Sequence, residues 1–532
     1  MAKASRRSSA SARRASRVSK PVTGPLARET VVAVIGAGAM GAGIAQVAAV
    51  AGHPVRLFDT RMGAADEARG NLAKTLDGLS VKGKLSGDAA RAAIGRITAV
   101  HALGDCAGAG LVIEAIVEDL GVKRALLQAL EVVVAADTIL ATNTSSLSIT
   151  ALAAGMKQPA RVVGMHFFNP APVLPLVEVV SGLATDPHVA ATVHATAAAW
   201  GKLPVHATST PGFIVNRCAR PFYAEGFRLL HERAADPATI DAVMREAGGF
   251  RMGPFELTDL IGHDVNFAVT RSVWEAYHYD PRYTPSVFQQ ELVAAGYLGR
   301  KSGRGIYDYA PGAEKPAPQS EAAQPPLARV TIHGDLGPAA PLAKRLAERG
   351  VIVAMAGALA AFPDGAIEVA GTLLALTDGR TATARAAAAS MTDLVVFDLA
   401  ADYAACSRLA VARADGCHES AWTHAVSALQ AAGIAVSRLD DVAGLAVMRT
   451  VAMLANEAAD AVTQGIASAA DVDLAMQKGV NYPQGPLAWA DAMGVTRVRD
   501  VLANLAAHYG EDRYRISPLI ARRCVAGTPL SV

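Results

Sequence analysis

An open, parallel α/β sheet followed by an all-α domain, then a degenerate α/β segment and a second copy of the all-α domain, is the architecture this sequence predicts. Three observations carry it. From Val31 onward, short β-branched runs alternate with Ala-rich helical stretches; a glycine-spaced turn joins the first run to the first helix; and the helical stretch that opens near Gly212 recurs 232 residues later. At 532 residues the chain is too long for one core, so several domains are expected.

Each element follows in order. VVAVI, PVRLF, LVIEA and TILAT read as strands separated by helices, and RVVGMHF and LPLVEVV extend the sheet, closing a domain over 29–208 near Thr208. From Pro211 to about Tyr307 the period becomes helical, opening with PGFIVNRCARPFYAEGFRLL, which gives an all-α domain over 209–310. Residues 311–327 are rich in Pro, Ala and Gln and predict a semi-rigid linker. Over 328–440, VTIHGDLG, GVIVAM, TLLALTDG and TDLVVFDLA again alternate strand with helix, a worn version of the first sheet. The last unit is 441–532. A shift of 232 positions superposes Gly212 on Gly444, Arg217 on Arg449, Glu225 on Glu457, Asp241 on Asp473, Gly253-Pro254 on Gly485-Pro486, Asp259 on Asp491 and Gly262 on Gly494. An Ala-rich composition can imitate scattered identities. It does not imitate charged, Gly and Pro matches at one fixed offset.

Composition narrows the function classes. Hydrophobic residues are 52% and charged residues 18%, a balance that builds cores rather than disordered chain. A net charge of +2 gives no general attraction to nucleic acid or an anionic membrane. The longest apolar stretch, Val351 to Leu376, is broken by Pro363, Asp364 and Glu368, so no membrane span is expected. Cys106, Cys218, Cys406, Cys417 and Cys524 are odd in number and lack metal spacing, which predicts reduced thiols, no metal site and a cytoplasmic location. Residues 1–28 carry eight Lys and Arg with no acid before Glu29, predicting a disordered basic tail; the composition also suits a transit peptide, although apolar residues are too sparse for an amphipathic face.

Gly36-x-Gly38-x-x-Gly41 follows the first strand and opens the first helix, the setting a Rossmann-type dinucleotide site requires. The first glycine permits the tight turn, the second lets backbone approach a pyrophosphate, and the third lets helix pack on strand. Asp59 ends the second strand 23 residues after Gly36, where its carboxylate can receive both ribose hydroxyls. It would repel a 2′-phosphate, so NAD is expected over NADP, with Arg61 the feature that speaks for NADP. In the later α/β segment only Gly334 and Gly337 precede Pro338, and no second cofactor is expected.

A second cluster comprises Asn143-Thr-Ser-Ser-Leu147, His166-Phe-Phe-Asn169-Pro170, Glu178 in LVEVV, and Pro211-Gly-Phe-Ile-Val-Asn-Arg217. Moving a hydride from a carbinol carbon to nicotinamide requires the hydroxyl proton to leave, and histidine exchanges protons near neutrality. A carboxylate on the far ring nitrogen fixes the tautomer and stabilises the imidazolium as it forms. Glu178 suits this because a carboxylate in an apolar strand is costly unless paired. Read singly, His166 suits a structural role, Glu178 an outward-facing strand position, Ser145 or Ser146 a helix cap, and Asn216 a cap or solvent contact.

Together these motifs resemble the 3-hydroxyacyl-CoA dehydrogenases, from about Val31 to Tyr309. The resemblance implies NAD-dependent oxidation of a (3S)-3-hydroxyacyl-CoA, with His166 and Glu178 as the catalytic pair and Ser145 and Asn216 contacting substrate oxygens. It implies cofactor-side positions for Glu118, Lys123, Asn143, Asn169 and Lys301. The second helical unit resembles the extra carboxyl-terminal unit of longer bacterial members, some of them in phenylacetate or short-chain acyl-CoA breakdown. Lys74, Lys82, Lys84 and Arg91 are the basic residues expected to meet CoA phosphates, with an ordinary solvated helix face as the alternative for each. At the 232-residue offset Asn216 becomes Met448, so the copy is expected to be structural, packing on the first helical domain as a partner subunit would in a homo-oligomer. Two other functions stay open on the residues: the same scaffold acting on another hydroxy acid, and a non-catalytic NAD-binding protein.

Overall fold

The computed structural model describes residues 24–532. Most of the predicted basic tail therefore lies outside the described residues, and its last part is no tail. Leu26 N–H donates to Thr196 Oγ1 at 3.0 Å and the Arg28 stem lies beside Gly52, so these residues belong to the first domain.

The first sheet has eight strands: β1 (Val32–Ile35), β2 (Val55–Phe58), β3 (Ile97–Val100), β4 (Leu111–Glu114), β5 (Ile139–Thr142), β6 (Val162–Phe167), β7 (Leu176–Ser181) and β8 (Leu203–Thr208), in the order β3-β2-β1-β4-β5-β6-β7-β8. β1, β4 and β5 are buried throughout, as parallel strands covered on both faces must be. The sheet is not wholly parallel. Only residues 168–175 join β6 to β7, too few for a crossover, so β7 returns antiparallel. That reversal sets His166 directly opposite Glu178 in the strand register. The edge strands β3 and β8 escaped the sequence reading because both are half exposed and carry no continuous apolar run.

One face of this sheet is covered by the helices Ala39–Ala51, Ala64–Val81, Gly87–Arg96 and Pro187–Ala199. The other face shares a continuous core with the helices that follow. These run from Val215–Cys218 and Arg220–His231 through Pro237–Glu246, Pro254–Ile261 and His263–Ala276 to Val287–Ala294.

Residues 311–327 form neither helix nor strand, yet they are no free linker. Lys315 pairs with Glu256, Gln319 N–H donates to Thr239 Oγ1, and Glu321 N–H donates to Val436 O, which straps the segment across the helices and the second sheet.

That sheet comprises β9 (Arg329–His333), β10 (Ile352–Ala356), β11 (Ala366–Val369), β12 (Thr372–Leu376), β13 (Leu394–Phe397), β14 (Arg408–Arg413) and β15 (Ala435–Arg438), ordered β10-β9-β11-β12-β13-β14-β15. The simple alternation expected from sequence is corrected here. β11 is antiparallel to both neighbours and β14 to β13. β11 and β12 are joined by Ala370-Gly371 alone, both left-handed (φ 47° and 84°), the geometry of a tight hairpin turn without the usual Asn-Gly signal.

Five helices close the chain: Val447–Thr463, Ala469–Gly479, Pro486–Met493, Val495–Tyr509 and Pro518–Ala526. Helix Val447–Thr463 packs on the helices Val215–Cys218 and Arg220–His231 through two reciprocal ion pairs. Arg217 Nε meets Glu457 Oε1 at 2.5 Å and Arg449 Nε meets Glu225 Oε2 at 2.6 Å, with all four side chains at most 1% exposed. Arg217 also donates to the Tyr277 hydroxyl and Arg449 to that of Tyr509, at 2.9 and 2.8 Å. The backbone echoes this spacing: Phe213 and Leu445 are both left-handed, at φ 47° and 52°. Among the described residues, no helix is long and apolar enough to cross a membrane.

Candidate active site

The glycine turn sits at the carboxyl ends of β1 and β4. Gly36 is left-handed (φ 104°), and a Cβ on Gly41 would collide with the Gly36 carbonyl oxygen, so both must be glycine for the helix to approach the strand. At Gly38 a Cβ would meet nothing within 4 Å, which leaves the backbone open on the side a ligand would use. Gly38 is the N-cap of Ala39–Ala51 and no side chain caps it, so the first-turn amides are available to an anion. Asp59 Oδ2 accepts the Ala37 N–H and Oδ1 the Arg61 N–H, each at 2.8 Å, fixing the carboxylate against the turn. This arrangement fits a dinucleotide.

His166 is 5% exposed, and its ring lies against Phe168 with centroids 4.5 Å apart. Its Nδ1 is 2.6 Å from Glu178 Oε2. Glu178 is fully buried and its other oxygen accepts the N–H groups of Ile214 and Val215 at 3.0 and 2.9 Å. The carboxylate has no donor to spare, so Nδ1 is the protonated ring nitrogen. Nε2 then carries the free lone pair, and among the described residues it has no protein partner. The left-handed Phe213 aims the two amides at Glu178, tying the start of the helical domain to the histidine pair.

The loop after β5 converges on the same end of the sheet. Asn143 Oδ1 accepts the Phe167 N–H at 2.8 Å, and Asn216 Nδ2 donates to the Ser145 carbonyl at 3.2 Å. Glu118 Oε1 accepts from the backbone N–H and hydroxyl of both Ser145 and Ser146 and from the Thr144 hydroxyl. Burial alone would raise the Glu118 pKa, but the Thr144 hydroxyl, the Lys123 charge and the serine donors together hold it below the usual carboxylate range. Ser148, rather than Ser145 or Ser146, caps the next helix. Asn169 precedes Pro170 through a cis peptide bond just past β6.

The remaining candidate residues have the following surroundings. Lys123 is 1% exposed, with Nζ 2.6 Å from Glu114 and 3.3 Å from Glu118, so it orders these acids from inside rather than reaching outward. Lys301 pairs with Asp264 at 2.6 Å beside Gly262, and its polar contacts lie within the helical domain, away from the glycine turn's own residues. Lys74, Lys82 and Lys84 are exposed on and just beyond the helix Ala64–Val81, while Arg91 pairs with Asp88. The sequence reading missed Glu114, which is fully buried at the end of β4 and also accepts the Thr142 hydroxyl at 2.6 Å. The signal was available: LVIEA, like LVEVV, carries a carboxylate in an apolar strand.

A dinucleotide fold with an uncapped glycine turn and a carboxylate-held histidine at the strand ends defines a nicotinamide-dependent dehydrogenase. Family models agree. The 3-hydroxyacyl-CoA dehydrogenase NAD-binding domain matches residues 31–210, the C-terminal domain of that family matches 212–309 and again 444–529, and the reduced Rossmann-fold domain of 3-hydroxybutyryl-CoA dehydrogenase matches 374–442. A 3-hydroxyadipyl-CoA dehydrogenase of Escherichia coli K12 is 44% identical over 505 residues, 93% of this chain and 97% of its own. The human mitochondrial hydroxyacyl-coenzyme A dehydrogenase is 38% identical over 52% of this chain and 90% of its own. Among solved structures, a 3-hydroxybutyryl-CoA dehydrogenase from Escherichia coli K12 superposes with a TM-score of 0.85 at 43% identity, covering 94% of this chain and 98% of its own. The chain belongs to the 3-hydroxyacyl-CoA dehydrogenase family and catalyses NAD-dependent oxidation of 3-hydroxyacyl-CoA. Family membership thereby sets aside the non-catalytic reading.

Proposed function

We propose that His166 is the general base of this oxidation and Glu178 its orienting partner, acting on a short 3-hydroxyacyl-CoA. The observation that carries the reading is the 2.6 Å contact from His166 Nδ1 to a fully buried carboxylate, with Nε2 left free. In the forward direction Nε2 takes the hydroxyl proton, and Glu178 stabilises the imidazolium that forms. NAD held by Gly36, Gly38, Gly41 and Asp59 supplies the hydride acceptor. Ser145 and Asn216, joined through the Ser145 carbonyl, hold the substrate oxygens, while Phe168 and Phe213 beside the imidazole keep water from its ring. Lys74, Lys82 and Lys84 receive CoA phosphates.

The helical unit 441–532 we read as a duplicate of 209–310 that occupies the place of a partner subunit. Support comes from the reciprocal pairs Arg217–Glu457 and Arg449–Glu225 at one 232-residue spacing, the pattern a two-fold interface produces. A truncation ending near Tyr309 should therefore dimerise or aggregate, and a monodisperse, fully active monomer would end this part of the reading.

The direct test of function follows NADH formation with 3-hydroxyacyl-CoAs of increasing length beside the corresponding free 3-hydroxy acids. Turnover restricted to the thioesters is expected. Turnover of the free acids alone would defeat the assignment.

A further inference from the structure

Glu114 is fully buried at the end of β4, and three groups meet its carboxylate. Oε1 receives Lys123 Nζ at 2.6 Å and the Ile116 N–H at 2.7 Å, while Oε2 accepts the Thr142 hydroxyl of the neighbouring strand at 2.6 Å. The turn closed by the Ile116 bond lays the Ala115 carbonyl against Gly36. From the same carboxylate two routes lead to the loop that carries Ser145. Along the first, Lys123 Nζ stands 3.3 Å from Glu118 Oε2, and Glu118 Oε1 gathers the N–H and hydroxyl of both Ser145 and Ser146. Along the second, the Thr142 hydroxyl accepts the Thr144 N–H at 3.2 Å, and the Thr144 hydroxyl accepts the Leu147 N–H at 2.9 Å. Each residue from Thr144 to Leu147 is thereby tied back to one acid.

The second sheet supplies a control. Its strand order sets β11 in the place of β4 and β12 in that of β5, and the turn after β12 persists, with the Thr377 hydroxyl accepting the Gly379 N–H at 3.3 Å. Among the described residues no carboxylate meets that hydroxyl, so such a turn folds without a buried acid behind it. A buried Glu–Lys–Glu cluster is a weak source of net stability. This one stands in the half that carries the glycine turn, Ser145 and His166.

We infer that Glu114 is a positioning residue for the oxidation: acting through Lys123 and through Thr142, it sets the direction in which Ser145 meets the substrate oxygen. The inference rests on the reading that Ser145 holds that oxygen. In Glu114→Gln the amide oxygen can still receive the Ile116 N–H, but Lys123 keeps Glu118 as its one carboxylate and draws it away from both serines. The new NH2 group meanwhile donates to the Thr142 hydroxyl and competes there with the Thr144 N–H. Both routes slacken together, and a reacting geometry displaced by ~1 Å loses up to about 100-fold in rate.

The test is single-turnover NADH formation by the full-length enzyme on 3-hydroxybutyryl-CoA, because the rate constant reports the bound complex and the amplitude the competent fraction. In Glu114→Gln the rate constant should fall by on the order of 30-fold, with the amplitude and the dissociation constant for NAD near wild type. On a Ser145→Ala background the same substitution should lower the rate constant by about 3-fold or less, since the group it directs is gone. A rate constant within about 2-fold of wild type, with or without a loss of amplitude, would show a purely structural acid and overturn the inference. So would an undiminished effect on the Ser145→Ala background, which would bypass the serine. Where Glu114→Gln yields no soluble enzyme, Thr142→Val cuts the uncharged route with every charge in place: a fall of about 5-fold is expected, and an unchanged rate constant overturns the inference. A Ser145→Ala enzyme as fast as wild type fails the underlying substrate reading instead.

Discussion

Glu178 and Asp398 perform one structural task in the two halves of the chain. Each accepts the amides that open a helix just past a left-handed residue: Ile214 and Val215 after Phe213 in the first half, Ala446 and Val447 after Leu445 in the second. They differ in the remaining oxygen. Glu178 gives it to His166, whereas Asp398 gives it to the amides of Met448 and Leu399. Helix capping alone therefore accounts for a buried acid at either place, and the histidine is what the first half adds.

This separates two effects in one substitution. In Glu178→Gln the amide oxygen can still receive Ile214 and Val215, but its NH2 then faces His166 and forces the wrong tautomer. Turnover should fall at least ~100-fold, as it should in His166→Ala, while NAD affinity stays near that of the wild type. Steady-state kinetics beside cofactor titration measure both quantities; a rate within a few-fold of wild type would remove His166 and Glu178 from the chemistry.

The glycine turn offers a contrast between neighbours. Gly41→Ala places a methyl group on the Gly36 carbonyl and should lower the melting temperature as well as NAD binding. Gly38→Ala meets no protein atom, so its melting temperature should hold while the dissociation constant for NAD rises by about 10-fold or more, the loss of a close backbone approach. Calorimetric titration with NAD and thermal melts of both variants decide the point.

The reciprocal ion pairs should be costly to break singly. Arg217→Met leaves Glu457 buried, although Arg282 remains beside it, and a loss of ~3 kcal/mol is expected. Adding Glu457→Gln should recover a large part of it, and denaturant unfolding of the two single variants and the double variant measures the coupling. Simple additivity would show that the pair contributes nothing specific.

Asp398 gives a pH signature. Burial raises its pKa to about 6 despite the backbone donors from Met448, Val447, Leu399 and Ala446. An acid raised in the folded state favours the fold fully below its unfolded pKa, near 4, and that contribution is lost as pH rises through about 6. The stability gap between wild type and Asp398→Asn should therefore shrink by on the order of 2 kcal/mol from pH 4 to pH 6.5. A gap that widens over this range would contradict the assignment.

What the sequence discloses follows from where the physics is local. The glycine turn, Asp59 and the strands β1, β2, β4 and β5 are readable because tight turns and buried parallel strands constrain residue type at every position. Edge strands β3 and β8 are not, since half-exposed strands tolerate polar residues. The antiparallel return of β7 could have been foreseen from the short β6–β7 connection, and it is what makes His166 and Glu178 register partners. The partners of Lys123 and Lys301 were not legible because charge pairing is a tertiary choice: Lys123 lies between Glu114 and Glu118, and Lys301 pairs with Asp264. Arg220 illustrates the same limit. Its sequence neighbourhood resembles any amphipathic helix, and only the packed structure reveals that, among the described residues, it is buried with no carboxylate within 4.0 Å.

The exchange of Arg217 for Arg449 across Glu457 and Glu225 joins two stretches of the same polypeptide. Dilution cannot part them, so the helical platform behind His166 stays assembled at concentrations where separate protomers would drift apart. With these contacts inside one polypeptide, the saturation curve for substrate should keep the same shape at every enzyme concentration.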